Sequence, residues 1–470
     1  MLNKNWKKNF LWGASTSAYQ VEGAYNVDGK GLNIHDVIEA KENVCSFNIC
    51  SDHYNKWKED IKLMSELGLK SYRFSISWTR IFPTGKDKVN QKGVDFYNNL
   101  INELLKYNIE PIVTIYHFDT PLELEKQGGW SNKKLMINAY CKYAETLFEL
   151  FGDRVKYWLT INELNMMVLY GHVLSAKKIN DAEDKFKVLF QEAHNMFVAQ
   201  AHVINLLHTK FAYQNSFIGP APNIAPVYAV DSNPKNIDAA YKTSALRNWM
   251  YLDIVVYGEY NKLVWNWLVE KKYEPEIEKN DMVIIKKGKP DFIAFNYYDT
   301  MTVAADNNEI KINFEGFDQQ NTYDMPGLYK VVKNKYLERT QFGWEIDPDG
   351  FKQCCRELYD RYRLPLLLTE NGIGGKDSLT EDLKIHDQYR IDYYEQHIKL
   401  IPEIIDEGIP LFGYQPWSAI DLVSTHEGMK KRYGFVYVDK DDQENGTMMR
   451  YKKDSFYWYQ KTIKNNGGIK

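Results

Sequence analysis

Hydrophobic and polar positions along the chain alternate between two periods. Short β-branched and aromatic runs, each bounded by turn residues, read as buried strands: "FLWGAST" near residue 10, "SYRFSIS" from Ser71, "EPIVTIYH" from Glu110, "VKYWLTIN" from Val155, "SFIGPAP" from Ser216, "DFIAFNYY" from Asp291, "LPLLLTEN" from Leu364 and "LFGYQPW" from Leu411. Between them lie helical patterns with apolar residues three and four apart. One is Tyr54, Trp57, Ile61 and Met64, ending near Gly68; another is Val94, Tyr97, Ile101 and Leu104. Strands that each lead into a helix predict a parallel sheet, and a length of 470 residues fits an α/β fold of the (β/α)8 TIM-barrel type, a closed barrel with insertions. The competing open doubly wound sheet favours a G-x-G-x-x-G turn after its first strand, and "GASTSAYQVEG" does not match one. With no repeat, low-complexity tract or linker in view, residues 1–470 are expected to form a single domain. The polar, weakly periodic segments Asn223 to Ala245 and Ala304 to Arg339 are expected to be long loops over the C-terminal face of the barrel.

Composition narrows the function by exclusion. A net charge of −4 offers no basic face for nucleic acid and no acidic tail. Aromatic content is 14%, enough to line a carbohydrate site by stacking on sugar rings or simply to fill a large core. The five cysteines, Cys45, Cys50, Cys141, Cys354 and Cys355, are odd in number and show no zinc-type spacing, which predicts mostly free thiols in a reducing compartment. The basic N-terminus lacks the apolar run of a signal peptide, and no segment reaches the ~18 apolar residues of a membrane helix. A cytoplasmic protein without membrane association is expected.

In an eightfold barrel the chemistry sits at the C-terminal ends of the strands. Two of those ends carry a glutamate beside an asparagine: "TINELN" with Glu163 after the fourth strand, and "LLLTENG" with Glu370 at the seventh. Those strands face each other across the barrel mouth. A facing pair of carboxylates is what glycosidic cleavage requires, one protonated to release the leaving oxygen and one ionised to attack the anomeric carbon or activate water. Burial of one and a cation beside the other would push their pKa values apart. Arg73, in the otherwise apolar "YRFSIS", must be paired if buried, and it would favour an ionised neighbour. Gln20 and Glu22 follow the first strand, His117 ends the third and Asn296 to Tyr298 end the sixth.

With these positions in place, the chain from Phe10 to Asp439 resembles glycoside hydrolase family 1 through "FLWGASTSAYQVEG", "YRFSISWTRIFPTG", "YHFDTPLELEKQGGW", "TINEL", "FNYY", "LLLTENGIG" and "KRYGFVYVD". The resemblance implies a retaining β-glycosidase without metal or cofactor. Glu163 would be its acid/base and Glu370 its nucleophile, about 5–5.5 Å apart. It further implies that Gln20, His117, Asn162 and Trp417 hold the sugar, and that Arg73 and Tyr298 neighbour the nucleophile. Leu164 and Phe118 depart from the Pro and Trp usual in the family, but both keep the site apolar.

A larger departure lies in "DLVSTHEGMKKRYGF", Asp421 to Phe435. Family members acting on plain sugars usually carry Glu-Trp here, the Glu gripping the hydroxyls at C4 and C6; in this chain the pair is Ser424 and Thr425. A carboxylate would repel a phosphate on C6, whereas a serine hydroxyl donates to one. With Lys431 and Tyr433, the pattern is similar to the 6-phospho-β-glycosidase branch, in which Ser, Lys and Tyr hold the phosphate. The resemblance therefore implies a 6-phospho-β-glucosidase acting on phosphorylated cellobiose or aryl β-glucosides and releasing glucose 6-phosphate. The small Thr425, where galacto-specific relatives tend to keep Trp, favours the gluco epimer. A 6-phospho-β-galactosidase, an unphosphorylated β-glucosidase with "MKKRYG" as a solvated basic turn, and a non-catalytic sugar-binding barrel stay open as alternatives. The expected partner is the small phosphorylated substrate, and a homo-oligomer is compatible with the sequence.

Overall fold

The computed structural model describes residues 9–39, 42–169, 185–306, 325 and 327–468. Eight parallel strands form the central sheet, all at the expected places: β1 (Leu11–Ser15), β2 (Ser71–Ser75), β3 (Glu110–Tyr116), β4 (Tyr157–Asn162), β5 (Phe217–Ala221), β6 (Ile293–Asn296), β7 (Leu366–Asn371) and β8 (Leu411–Pro416). They run side by side in the order β5-β4-β3-β2-β1-β8-β7-β6. The ends of this series meet through Asp291 N to Ile218 O, Asn296 N to Pro222 O and Ile224 N to Asn296 O, each 2.9 Å, so the sheet closes into a barrel. Gly219 is required at that seam. A Cβ on it would stand 2.3 Å from the Phe292 carbonyl oxygen.

Both faces of these strands are buried, which is why they read as nearly continuous apolar runs. Side chains alternate between the barrel interior and the helical ring outside. Ile112, Leu159, Ala221, Phe292, Ala294 and Leu367 fill the interior, with Leu11, Tyr157 and Phe412 packed against them. Each of the buried leucines contributes roughly 2 kcal/mol. A polar layer also projects inside the barrel: Arg73, Thr114, Asn162, Asn296 and Glu370 are joined by hydrogen bonds across it. An apolar plug beneath a polar layer gives the barrel one chemically active end.

Outside the sheet, the helix His53–Leu67 buries Ile61, Met64 and Leu67, and ends where Gly68 takes φ +86°. The helix Gln91–Lys106 buries Val94, Tyr97, Ile101 and Leu104. Both agree with the spacing in the sequence. The two segments expected as loops contain more structure than that. Val227–Ala229 pairs with Met301–Ala304, which pairs in turn with Lys330–Val331, and Pro234–Ser244 is a helix capped by the Asn233 side chain. That helix buries only Ala239, Ala240 and Thr243, small side chains that leave a weak apolar period. Residues 307–324 and 326, within the second expected loop, lie outside the described residues.

Among the described residues no helix is long and apolar enough to cross a membrane. Cys45, Cys50, Cys354 and Cys355 are buried and Cys141 is half-buried, all as thiols.

Candidate active site

Glu370, at the end of β7, is bound on both carboxylate oxygens. Arg73 of β2 donates from Nη1 to Oε1, and the Tyr298 hydroxyl donates to Oε2 at 2.7 Å. The guanidinium is fully buried and fixed by two more bonds, Nε to Thr114 Oγ1 at 2.8 Å and Nη2 to Asn162 Oδ1 at 2.7 Å. The ion pair is thus buried with the other donors of the guanidinium satisfied, the condition under which such a pair is tolerated away from water. Burial, and then the Glu370 charge, push the Tyr298 phenol well above its ordinary value, so it remains a donor.

Glu163 stands at the end of β4 with φ +45°, in the left-handed region that a non-glycine residue occupies at a cost of about 1 kcal/mol. Its Oε1 accepts two amide donors, Asn296 Nδ2 and Asn223 Nδ2, both at 2.9 Å. Neither amide can be turned round. Asn296 Nδ2 also donates to Asn162 Oδ1 at 3.2 Å, an oxygen held in place by the Arg73 guanidinium, and Asn223 Oδ1 accepts from Arg247 Nη2 at 2.9 Å. With Oε1 committed as acceptor, the acidic proton belongs on Oε2. Burial, then the nearby Glu370 charge, raise the Glu163 carboxyl to about 7, against the partial opposition of the two amides. Glu163 so holds a proton near neutrality beside a carboxylate that is ion-paired with Arg73, the division of labour that acid-assisted cleavage needs.

The raised value has a stability consequence. A carboxyl that folds at about 7 instead of 4.5 leaves stability untouched below pH ~4.5, erodes it from there to pH ~7, and above that costs about 3 kcal/mol. Glu163→Gln removes the buried charge and keeps an acceptor for both amides. The variant is expected to exceed the parent by about 2 kcal/mol at pH 8 in urea unfolding and to match it at pH 4. Equal midpoints at pH 8 would show that Glu163 is not buried as a reluctant anion.

Around this pair lie the residues expected to hold a sugar. Asn162 uses Oδ1 for Arg73 and Asn296, so its Nδ2 faces His117 Nε2 at 3.1 Å. That network places the imidazole proton on Nδ1. Burial, then the Arg73 charge, hold His117 well below its usual value and therefore neutral. His117 Nδ1 is buried without a hydrogen-bond partner among the described residues, a donor available to a ligand hydroxyl. Trp417, just past β8, stacks on His117 with centroids 6.1 Å apart. Gln20 accepts from Ser17 Oγ and donates through Nε2 to the Val423 carbonyl at 2.9 Å, bracing the loop that follows β8.

That loop carries Ser424, Lys431 and Tyr433, all buried. Ser424 and Gly428 exchange backbone bonds of 3.1 and 3.2 Å, closing a tight turn. The three consecutive basic residues then diverge. Lys430 is on the surface with Glu427 at 2.7 Å, and Arg432 is bonded to Asp421 at 3.0 Å and to the Val438 carbonyl at 2.8 Å. Lys431 turns inward, its ammonium 3.8 Å from the centroid of Trp344 and 4.8 Å from that of Phe342. Its stem lies over Gly374, where a Cβ would come within 2.6 Å. Trp344 also packs on Tyr298 at 5.4 Å and on Tyr433 at 6.4 Å, which ties this loop to the residue holding Glu370. A solvated basic turn is therefore not what Lys431 belongs to: it is only 3% exposed.

The residues expected to carry the chemistry and hold the sugar thus stand in one connected region. Glu22, which follows β1, is instead paired with Arg80 at 3.0 Å, joining the segments that follow β1 and β2. The sequence reading missed Asn223, Arg247, Trp344 and Gly374, and it gave Asn296 no role. Asn223 had a usable signal, since it follows β5 and strand ends are where such sites gather. Trp344, one of two aromatics in "FGWEIDP", had a weak one.

A closed eightfold barrel with a buried carboxylate pair at its strand ends defines the glycosidase class. Residues 2–468 match the glycosyl hydrolase family 1, and the chain belongs to that family. It is 40% identical over 473 residues to the aryl-phospho-β-D-glucosidase BglC of Bacillus subtilis (strain 168), covering 99% of this chain and 98% of the relative. It is 37% identical over 481 residues to a 6-phospho-β-glucosidase of Clostridium longisporum, covering 98% and 97%. Among solved structures, the family 1 β-glucosidase from Thermotoga maritima superposes with a TM-score of 0.87 at 37% identity over 98% of both chains.

Proposed function

We propose that this protein hydrolyses 6-phospho-β-D-glucosides, with retention of configuration, to glucose 6-phosphate and an aglycone. The observation that carries the reading is Lys431, buried beside Trp344, in a loop where Ser424 stands in place of a carboxylate. A C6 phosphate brings nearly two negative charges, which a lysine and neutral hydroxyl donors can offset and a glutamate would repel. The names of the Bacillus and Clostridium relatives agree with it.

In the proposed reaction Glu370 attacks the anomeric carbon while Glu163 gives its proton to the leaving oxygen. Glu163, now ionised, then takes a proton from the water that releases the sugar from Glu370. Arg73 and Tyr298 hold the nucleophile in line, and Gln20, His117, Asn162 and Trp417 hold the sugar. A phosphorylated sugar does not cross membranes unaided, which supports a cytoplasmic place of action.

The test compares kcat/KM for 4-nitrophenyl β-glucoside with and without the 6-phosphate, alongside the galacto 6-phosphate. The phosphorylated glucoside is expected to be preferred to the plain one by about 10³-fold, or roughly 4 kcal/mol of transition-state discrimination. The galacto epimer is expected to be the poorer phosphorylated substrate, because Thr425 leaves no large side chain near C4. Comparable rates with the plain glucoside would assign the loop to packing and overturn the phosphate reading.

A further inference from the structure

Glu163 is held from behind by an apparatus outside the barrel strands. The helical run from Pro234 to Val256 changes its winding once, at Ala245–Trp249, which forms a π turn between two α-helical stretches. Single π turns concentrate at functional sites, because the extra residue re-aims a side chain. Here the middle residue is Arg247, buried, with its guanidinium on Asn223. Nη2 donates to Asn223 Oδ1 at 2.9 Å and Nη1 to the Asn223 carbonyl at 3.1 Å. Asn165, two residues beyond Glu163, completes the clamp. Its Oδ1 accepts from Asn223 N at 3.1 Å and its Nδ2 donates to the Asn223 carbonyl at 2.7 Å.

A guanidinium has donors only, so it accepts one orientation of the asparagine amide and rejects the other. Turned round, the Asn223 NH2 would face the Arg247 N–H groups and its oxygen would face the Glu163 oxygen, leaving two repulsive contacts in place of two hydrogen bonds.

We propose that Arg247 is a positioning residue for the acid/base glutamate, acting through Asn223 to keep an amide donor on Glu163 Oε1. This rests on the reading of Glu163 as the acid/base. The donor leaves Oε2 to carry the transferable proton and stabilises the carboxylate that forms once the proton has gone. The guanidinium charge works in the same direction.

The groups facing this assembly can be named. Glu163 interacts with Glu370, Tyr19, Tyr298 and Arg247, and Arg247 with the Tyr251 phenol and the Cys354 thiol. Burial pushes all three phenols and the thiol upward, which keeps them neutral, so Glu370 and Arg247 supply the charges. Loss of Arg247 removes a cation and frees the amide, and both effects raise the Glu163 value.

The experiment is the pH profile of kcat/KM for Arg247→Met, Arg247→Lys, Asn223→Ala and the double variant Arg247→Met/Asn223→Ala. The substrates are phenyl and 2,4-dinitrophenyl 6-phospho-β-glucoside. Arg247→Met is expected to move the upper limb to higher pH by about one unit. It should slow the phenyl substrate by about tenfold, since phenoxide needs the proton, and leave the dinitrophenyl substrate within about twofold. Arg247→Lys keeps the charge without the fork and should shift the limb less. Asn223→Ala should shift it in the same direction, and the double variant no further than the larger single shift, because the two residues act in series. An unmoved limb, or equal losses on both substrates, would overturn the proposal. Glu163→Gln in the same assay separates the two assignments. If it keeps the wild-type limb, the acid/base reading fails and the inference with it. If it loses the limb while Arg247→Met and Asn223→Ala leave theirs in place, the inference alone fails.

Discussion

Replacing Glu370 with glycine is expected to lower kcat for an aryl 6-phospho-β-glucoside by about 10⁵-fold or more, the scale on which a covalent nucleophile acts. The loss has two parts. No other carboxylate stands where Glu370 does, so the glycosyl-enzyme cannot form. The Arg73 guanidinium and Tyr298 hydroxyl, aimed at the two Glu370 oxygens, also lose their anion. A buried cation left alone costs about 3–5 kcal/mol of stability, so the variant should be less stable as well as inactive. The same vacancy makes the experiment decisive, because a small anion such as azide fits between those donors. Azide entering there attacks from the side the nucleophile used, with Glu163 unable to protonate it and still able to assist departure. Addition of azide should therefore restore turnover on a dinitrophenyl substrate and give the α-configured glycosyl azide. A β-configured product, or more than about a tenth of wild-type activity without azide, would place the nucleophile elsewhere.

How far the sequence carried the reading depended on what kind of contact was being read. The barrel strands were legible because both their faces are buried, so "EPIVTIYH" and "LPLLLTEN" are nearly continuous apolar runs that turn polar where the chain leaves the barrel. Glu163 and Glu370 were legible for the complementary reason. A carboxylate ending such a run has no place in an apolar core, and the topology brings the ends of β4 and β7 to one face. The small sheet around Met301–Ala304 was not legible, since its flanking strands are only two or three residues long and half-buried. Arg247 lay further out of reach. Its aim depends on a π turn, which breaks the 3.6-residue period from which any helical face is inferred. Lys431 was singled out by the family resemblance alone; residue type and position in the turn did not distinguish it from Lys430 and Arg432 beside it. That distinction comes from Trp344, Phe342 and Gly374, which reach it from other parts of the chain.

Lys431→Ala is the corresponding experiment on specificity, and it is expected to lower kcat/KM for the phosphorylated glucoside by about 10³-fold while changing the plain glucoside by less than about threefold. A unit charge pair about 4 Å apart near a protein surface is worth about 4 kcal/mol, and a phosphate close to dianionic roughly doubles the attraction. Removing water from the ammonium and the phosphate takes part of that back. The lysine has met much of its own share in advance, being only 3% exposed and seated 3.8 Å from the Trp344 centroid in the free protein. A cation–π contact of this kind contributes roughly 1–2 kcal/mol when desolvated, and it holds the ammonium in place before substrate arrives. The net is therefore expected near 4 kcal/mol, and salt should weaken it little because the pair is shielded. Ser424→Glu should act in the opposite sense on the two substrates, repelling the phosphate while offering the plain sugar an acceptor for its C4 and C6 hydroxyls. If Lys431→Ala lowered both substrates equally, the lysine would be supporting the loop and Trp344 would be holding a structural cation. If only the phosphorylated substrate suffers, the Ser424-to-Tyr433 loop is the element that selects the C6 substituent, and the barrel carboxylates beneath it are indifferent to phosphate.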